Sequence, residues 1–177
     1  QAQPVVLQAP PGAGKTTGIP PALLNSKAGG DGKTLLIQPR RIAARAAAHR
    51  LASAMNCRLG DTVGYHVRFD RCYGKETRLI SMTTGMLLRR IQADPFLEDV
   101  SCVVLDEFHE RSLEIDLALG MLQRIRTTLR PELRLLVMSA TLSPEPIAEF
   151  LGDAHTMISE GRSFPVEVRY NDQISQD

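Results

Sequence analysis

The sequence predicts an α/β fold in which helices cover both faces of a mostly parallel sheet, giving three layers. Short apolar segments of strand length alternate along the chain with longer segments of helical periodicity. The short segments are apolar on both sides, which is typical of parallel strands buried between helices. The 177 residues, of which 43% are hydrophobic, are enough for one domain of this kind.

Five segments are predicted to be strands: residues 5–7, 34–37, 79–81, 102–105 and 133–138. Four are predicted to be helices: residues 43–55, 85–92, 113–128 and 144–150. In the third helix, residues three and four apart predict a buried stripe, formed by Ala118, Met121, Leu122, Ile125 and Leu129. Residues 68–76 are predicted to be a polar loop without regular structure.

The domain is predicted to extend over residues 1–160, followed by a connector at residues 161–177. The pattern after Gly161 is an extended segment followed by a polar tail, which suggests a link to a further domain. The chain begins with Gln1 rather than Met, and a core-strand pattern is present by residues 4–7. We therefore expect the chain to be a piece of a longer protein.

Composition excludes several classes of protein. The 21 Lys and Arg residues nearly balance 20 Asp and Glu residues, so any nucleic-acid contact must be local rather than a property of the whole surface. No apolar run approaches the roughly 20 residues of a membrane span, and no secretory signal pattern is present. Cys57, Cys72 and Cys102 lack metal-ligand or redox spacing. We expect a cytoplasmic protein with reduced thiols and no membrane partner.

A phosphate-binding loop is predicted at residues 9–17, which follow a predicted strand and precede an expected helix. In such a loop, glycines turn backbone N–H groups towards phosphate oxygens, the lysine reaches the β and γ phosphates, and the first threonine holds Mg²⁺. Ala9 stands where a glycine is usual, which is compatible with the loop if its φ is negative. A glycine-rich turn without a ligand is the alternative. The predicted nucleotide-binding residues are Gly12, Ala13, Gly14, Lys15, Thr16 and Thr17.

Two adjacent carboxylates, Asp106 and Glu107, directly follow the buried strand at residues 102–105. Ligands of open α/β sheets bind at the carboxyl ends of the strands, so we expect both carboxylates to lie near the phosphate loop. Asp106 can hold Mg²⁺ together with Thr16, and Glu107 can contact the ion or orient the water that attacks the γ-phosphate. The alternative is an acidic pair that caps the next helix.

The order of these motifs resembles that of the DEAH/RHA helicases of superfamily 2. The phosphate loop, Asp-Glu-x-His at residues 106–109 and Ser-Ala-Thr at residues 139–141 are similar to motifs I, II and III. Residues 38–44 are similar to motif Ia, residues 83–87 to motif Ib, and residues 64–69 to the segment between them. The resemblance covers nearly the whole chain and is strongest to the bacterial HrpB branch. It implies a RecA-like P-loop NTPase fold. It also implies a motor that hydrolyses ATP with Mg²⁺ and couples this hydrolysis to movement on single-stranded RNA.

The resemblance also implies roles for individual residues. Lys15, Asp106 and Glu107 act on the nucleotide, while His109 communicates with Ser139 and Thr141 to couple nucleotide state to domain movement. Arg50 matches an arginine that stacks on the adenine ring, with a surface helix charge as the alternative. The arginines that stabilise the transition state come from a second RecA-like domain in this family. We therefore expect the chain alone to be a weak ATPase.

The predicted nucleic-acid contacts are Arg40, Arg41 and Thr84, in the segments that resemble motifs Ia and Ib. Contacts with phosphate groups hold a strand without reading its sequence. Arg41 is also four residues before Arg45, on one helical face with His49, and without the resemblance a solvated basic face is the simpler interpretation. Position 84 is usually acidic in the family, so Thr84 departs from the pattern.

Three alternatives to an RNA helicase remain at this stage. The phosphates of DNA offer the same contacts as those of RNA, so a DNA-directed helicase of superfamily 2 fits the same residues. A small-molecule P-loop kinase fits the phosphate loop, although the sequence offers no acceptor-binding insertion. A non-catalytic ATP-sensing module descended from a helicase fits the fold, although Lys15, Asp106 and Glu107 are intact.

Overall fold

Five helices flank a sheet of eight strands in the computed structural model, which describes residues 2–141, 143–152 and 154–160. The strands are β1 (Val5–Gln8), β2 (Lys33–Gln38), β3 (Val63–Val67), β4 (Asp70–Cys72), β5 (Leu79–Thr83), β6 (Val100–Leu105), β7 (Arg134–Ser139) and β8 (His155–Ile158). The helices are α1 (Lys15–Asn25), α2 (Arg41–Ala54), α3 (Thr84–Ala93), α4 (Leu113–Thr128) and α5 (Glu145–Phe150). The predicted connector at residues 161–177 lies outside the described residues.

The strands lie in the order β4-β3-β5-β2-β6-β7-β1-β8, and all neighbouring strands are parallel except β3 and β4. Strands β2, β6, β7 and β1 are therefore consecutive at the centre. Gln8 is paired with Ser139, and Ile37 is paired with Leu105, so these four strands end close together. The predicted α/β class with a mostly parallel sheet is confirmed.

Successive residues of the central strands point to opposite faces of the sheet, and each face is covered by different helices. On β2 and β6, Leu35 and Val103 belong to the apolar core that contains residues of α3, α4 and α5. Leu36 and Val104 belong to the core that contains residues of α2 and contacts α1. This alternation accounts for the apolar character of both faces of the strands and produces the three predicted layers.

Helix α4 confirms most of the predicted stripe. Ala118, Leu122 and Ile125 are buried, and Met121 packs against them from a partly buried position. The prediction was wrong for Leu129, which is 44% exposed because the helix ends at the preceding residue and the chain turns away. No described helix, α4 included, is both long and apolar enough to cross a membrane.

Three strands near the edges of the sheet were not predicted: β3, β4 and β8. Residues 68–76 were predicted to be a loop, but Asp70–Cys72 forms β4, which pairs antiparallel with β3 through a tight turn at Phe69 (φ 68°). At the other edge, β8 pairs with β1, although all four of its residues are exposed. Edge strands of three or four residues need no continuous apolar face, so hydrophobic patterning does not reveal them.

Candidate functional site

The predicted phosphate loop lies between β1 and α1, where the sheet order brings it beside the ends of β6 and β7. Gly12 and Gly14 have φ angles of 79° and 77°, in the left-handed region that favours glycine. Gly14 is also the residue before α1, whose first turn contains no acidic side chain. Ala9 is not one of the described residues with positive φ, so the condition for an alanine there is met.

Lys15 is held inside its own loop. Its side chain is 8% exposed, and Nζ donates to the carbonyl oxygens of Ala9 and Pro10 at 2.5 and 3.0 Å. These bonds curl the loop around the ammonium group and use two of its three donors. Thr17 follows at the start of α1, with Oγ1 donating to the Gly14 carbonyl at 3.3 Å. The loop thus presents backbone N–H groups, a helix start and one cation at a single edge of the sheet.

Thr16 and Asp106 meet directly. Thr16 Oγ1 donates to Asp106 Oδ2 at 2.6 Å, although the residues are 90 positions apart in the sequence. Gln38 Nε2 donates to the same oxygen at 2.7 Å, and the backbone N–H of Glu107 donates to Oδ1 at 2.9 Å. Asp106 is fully buried, and all three donors stabilise its carboxylate. A hydroxyl and a carboxylate oxygen so close together are ligands that Mg²⁺ prefers, so these residues fit the ion.

Glu107, His109 and Ala140 form a line of contacts beside this pair. Glu107 Oε2 is 3.3 Å from His109 Nε2, and the backbone N–H of Ala140 donates to His109 Nδ1 at 3.2 Å. Because Nδ1 accepts, the hydrogen-bond geometry assigns the ring proton to Nε2, facing Glu107. Ser139 and Thr141 flank Ala140, with Ser139 buried at the end of β7 and Thr141 exposed.

The backbone at Glu107 is strained. Its φ of 52° places a non-glycine residue in the left-handed region, immediately before the 3₁₀ turn Phe108–Glu110. Such a conformation costs on the order of 1–3 kcal/mol and is found most often at functional sites. The strained turn directs the Glu107 side chain away from the continuing line of β6 and towards His109.

The acidic pair does not cap the following helix. The residue before α4 is Ser112, whose Oγ accepts a hydrogen bond from the backbone N–H of Ile115 at 3.3 Å. Glu114 and Asp116 supply the acidic side chains of the first turn. The capping interpretation of the carboxylates at 106 and 107 therefore has no support in the geometry.

The predicted nucleic-acid contacts differ in their placement. Arg40 and Arg41 are exposed at the start of α2, and Arg40 donates from Nε and Nη2 to Glu110 Oε2 at 3.3 and 3.2 Å. Thr84 is only 3% exposed, and its contact with nucleic acid stays a prediction. Thr84 is the first residue of α3, so its backbone N–H lies at the start of a helix. Arg50 is exposed on α2.

Three features near the carboxyl ends of the strands were not predicted from the sequence. Gln38 bonds Asp106, and Glu110 bonds Arg40. The β3–β4 hairpin also borders a cavity of about 350 Å³, whose lining includes His66, Arg68, Phe69, Arg71 and Arg89. Phe69 is 87% exposed, and the Arg68 guanidinium lies 4.7 Å from the centre of its ring. An exposed aromatic residue between arginines was visible in the sequence and could have indicated this surface.

The cysteines supply no reactive group to the site. All three are free thiols, and Cys102 is buried within β6, four residues before Asp106. Burial raises the pKa of the Cys102 thiol to about 12, with a small opposing effect from Arg134. The thiol is therefore protonated at neutral pH and is a poor nucleophile.

Comparison with known proteins identifies relatives of the whole chain. The DEAD/DEAH box helicase family matches residues 1–150. The chain is 53% identical over 166 residues to the ATP-dependent RNA helicase HrpB of Escherichia coli, covering 94% of this chain and 20% of that protein. It is 41% identical over 175 residues to the HrpA homolog of Haemophilus influenzae, covering 99% of this chain and 13% of that protein. The chain thus spans about a fifth or less of the length of these relatives.

A solved structure matches the fold at high similarity. The crystal structure of the E. coli DEAH/RHA helicase HrpB superposes with a TM-score of 0.87 at 52% sequence identity, covering 94% of this chain and 21% of that one. The predicted resemblance to DEAH/RHA helicases, and to the HrpB branch among them, is confirmed, as is the RecA-like fold. Since the family match covers most of the residues, the chain belongs to the DEAD/DEAH box helicase family.

Proposed function

We propose that this chain is the first of two RecA-like motor domains of an ATP-dependent RNA helicase that works in the cytoplasm. In this proposal residues 1–160 form the domain, and residues 161–177 lead to the second one. The observation that carries it is the bond between Thr16 and Asp106, at 2.6 Å. This bond joins the phosphate loop to the acidic end of β6, as a site for a metal-bound triphosphate requires.

The proposed nucleotide site divides its work among the chain's own residues. Gly12, Ala13 and Gly14 would turn backbone N–H groups towards the phosphates, with the Ala13 N–H leaving its 3.3 Å bond to the Pro10 carbonyl, and Lys15 would neutralise their charge. Thr16 and Asp106 hold Mg²⁺, which supplies charge neutralisation at the phosphates when it is bound. Thr17 extends the loop at the start of α1, and Arg50 is the proposed stacking partner of the adenine.

Glu107 is the proposed base for the attacking water, and His109 is the proposed connection to the rest of the motor. The 3.3 Å contact between Glu107 and His109 supports this assignment, since it orients the carboxylate beside the metal ligand Asp106. The 3.2 Å bond from Ala140 to His109 ties the same ring to the end of β7. A change at the γ-phosphate would thus be transmitted to Ser139 and Thr141, the proposed coupling residues.

Single-stranded RNA is the proposed nucleic-acid substrate, and the protein is proposed to bind it through its phosphate groups. Arg40 and Arg41 are exposed and positively charged at the sheet edge that carries the nucleotide site, which supports contacts with phosphate groups. The β3–β4 hairpin adds a cation, Arg68, and an exposed ring, Phe69, which supports further contacts with a nucleic-acid strand. Phosphate contacts do not separate RNA from DNA, so DNA of the same sequence is the necessary competitor in any binding assay.

ATP turnover tests this function. The chain should bind a fluorescent ADP in Mg²⁺ and lose that binding in Lys15→Ala, yet hydrolyse ATP slowly with little response to RNA. A longer protein carrying both motor domains should hydrolyse ATP faster by about 10³-fold or more in the presence of RNA, because an arginine of the second domain stabilises the transition state. Strong RNA-stimulated turnover by the chain alone, or no binding of Mg²⁺-nucleotide, would contradict the proposal.

A further inference from the structure

Gln38 joins the proposed metal ligand to the segment that leads into Arg40 and Arg41. It is the last residue of β2, and its side chain is 3% exposed. Its Nε2 donates to Asp106 Oδ2 at 2.7 Å. Its amide group is therefore buried beside the nucleotide site, two residues before the first proposed nucleic-acid contact.

The position of this amide is set by the sheet. Strands β2 and β6 are neighbours, with Ile37 paired to Leu105, and the backbone N–H of Asp106 donates to the Ile37 carbonyl at 3.0 Å. The backbones of Gln38 and Asp106 are thus held side by side, and their side chains have little freedom to separate. A buried hydrogen bond to a carboxylate is stronger than one between neutral groups.

The bond also limits how the Asp106 carboxylate can rotate. Oδ2 accepts from Thr16 and Gln38, while Oδ1 accepts from the backbone of Glu107, so donors from three segments fix its plane. Mg²⁺ requires near-octahedral geometry with oxygen ligands at about 2.0–2.1 Å. A carboxylate that has lost one of its three donors presents this geometry less often.

A second contact joins the same two segments at the surface. Arg40 bonds Glu110 through two of its nitrogens, and Glu110 directly follows His109. Both side chains are well exposed, at 74% and 37%, so the ion pair itself contributes little. The buried bond of Gln38 is therefore the stronger of the two connections between the motif Ia segment and the acidic loop.

We propose that Gln38 is a positioning residue that orients Asp106 towards Mg²⁺ and transmits the state of the nucleotide site to Arg40 and Arg41. The inference rests on the proposed function, because it takes the metal site and the nucleic-acid contacts from it. Coupling of this kind is reciprocal: if Mg²⁺-nucleotide changes the affinity for RNA, RNA changes the affinity for Mg²⁺-nucleotide by the same factor.

Gln38→Met in the full-length protein tests the inference, since methionine keeps the length of the side chain and removes its donor. A fluorescent ADP is titrated with EDTA and with Mg²⁺. We expect the affinity for ADP in EDTA to stay within about twofold of that of the unaltered protein. The Mg²⁺ gain, defined as the ratio of the ADP affinity in Mg²⁺ to that in EDTA, should fall about tenfold or more, as for a lost bond to a charged group. A labelled oligouridine is then titrated with and without Mg²⁺-ADP, and the ratio of its two affinities should move towards one.

Gln123→Met is the matched control. This glutamine bonds the Leu151 carbonyl and Arg126, outside the nucleotide site. Its loss should lower stability while leaving the Mg²⁺ gain and the RNA ratio unchanged. If Gln38→Met fails to fold, seen as lost binding in EDTA, Gln38→Asn replaces it, since the shorter amide retains polarity but falls short of Asp106.

The outcomes separate the two proposals. An unaltered protein whose ADP affinity is indifferent to Mg²⁺ contradicts the proposed nucleotide site itself. A normal Mg²⁺ gain in the unaltered protein that persists in full in the Gln38 variant overturns the role of Gln38 alone. A reduced Mg²⁺ gain with an unchanged RNA ratio overturns the transmission to Arg40 and Arg41.

Discussion

At the scale of single residues, Glu107 has a strained backbone and is also the proposed general base. It adopts a left-handed backbone, and its carboxylate is held by His109 rather than pointing freely into solvent. A residue that sits in an unfavourable conformation at the end of a buried strand is placed there by its surroundings. The Glu107 carboxylate therefore lies next to Asp106 but contacts His109, and it does not use the donors that bond the Asp106 carboxylate.

Glu107→Gln should therefore separate nucleotide binding from hydrolysis. The amide is similar in shape and keeps the backbone turn, but it cannot accept a proton from water. In a protein with both motor domains, we expect single-turnover hydrolysis to fall by roughly 10²–10⁴-fold, the usual contribution of a general base. Binding of fluorescent ADP should change by less than about threefold.

The exposed Glu149→Gln on α5 provides the control for loss of one carboxylate and should leave turnover unchanged. A fall in turnover of less than tenfold in the Glu107 variant would exclude its role as the base.

The contact between Thr16 and Asp106 was predictable from residue type and spacing, whereas other contacts near it were not. Thr16 and Asp106 could be paired in advance, because both follow strands of the same parallel sheet. The bonds of Gln38 and Glu110 depend on which strands are neighbours and on a strained turn, and neither is encoded in local spacing. The burial of Thr84 was not predictable for the same reason, since it depends on how α3 meets β5.

At the scale of elements, α4 begins three residues after the acidic loop that contributes to the proposed nucleotide site. Ser112 caps it directly after the acidic loop, while Arg111, with a φ of 36°, pairs with Asp116 of the first turn. The Ser112 cap fixes the residue at which α4 begins after the acidic loop. Stability of this junction is thus separable from the chemistry of the loop before it.

Ser112→Ala should destabilise the domain without altering the phosphate loop. Loss of an N-cap side chain costs about 1 kcal/mol, which corresponds to a fall in Tm of about 2–4 °C for a domain of this size. Thermal denaturation followed by circular dichroism measures the effect. Ser112→Asp retains an acceptor for the Ile115 N–H and should keep the original Tm. Equal losses in the two variants would show that the cap bond is not responsible.

At the scale of the whole molecule, Arg126 connects parts of the chain that are far apart in sequence. Its side chain is 1% exposed, and its guanidinium donates to the Leu133 carbonyl, the Gln123 side chain and the Ala2 carbonyl. Burial lowers the pKa of the guanidinium, and its hydrogen bonds compensate for part of the lost hydration. The residue thus ties α4 and the approach to β7 to the segment before β1.

Arg126→Met should unfold the domain more readily, because it leaves buried oxygen acceptors without a donor. We expect a loss of about 3 kcal/mol in the free energy of unfolding, measured by urea denaturation. Arg124→Met on the exposed side of the same helix removes a charge without a buried network and should cost less than about 0.5 kcal/mol. Similar losses in both variants would contradict a structural role for the buried guanidinium.

The central part of the architecture was predictable because every strand there is apolar on both faces, as in residues 102–105 of β6. The strands near the edges were not predicted. In β3, Gly64 and His66 interrupt the apolar pattern, while β4 and β8 are short and partly or wholly exposed. The same limit applies to the β3–β4 hairpin, whose cavity arises only when residues of α3 lie beside it.

The position of β1 in the sheet determines when the proposed nucleotide site can form during synthesis. Val6 pairs with Val137 on one side and with Thr156 on the other, so β1 is translated about 130 and 150 residues before its two partner strands. At about 5–20 residues per second, the nascent strand waits roughly 7–30 s for them. The predicted phosphate loop, which directly follows β1, is therefore translated well before the strands that hold β1 in the sheet.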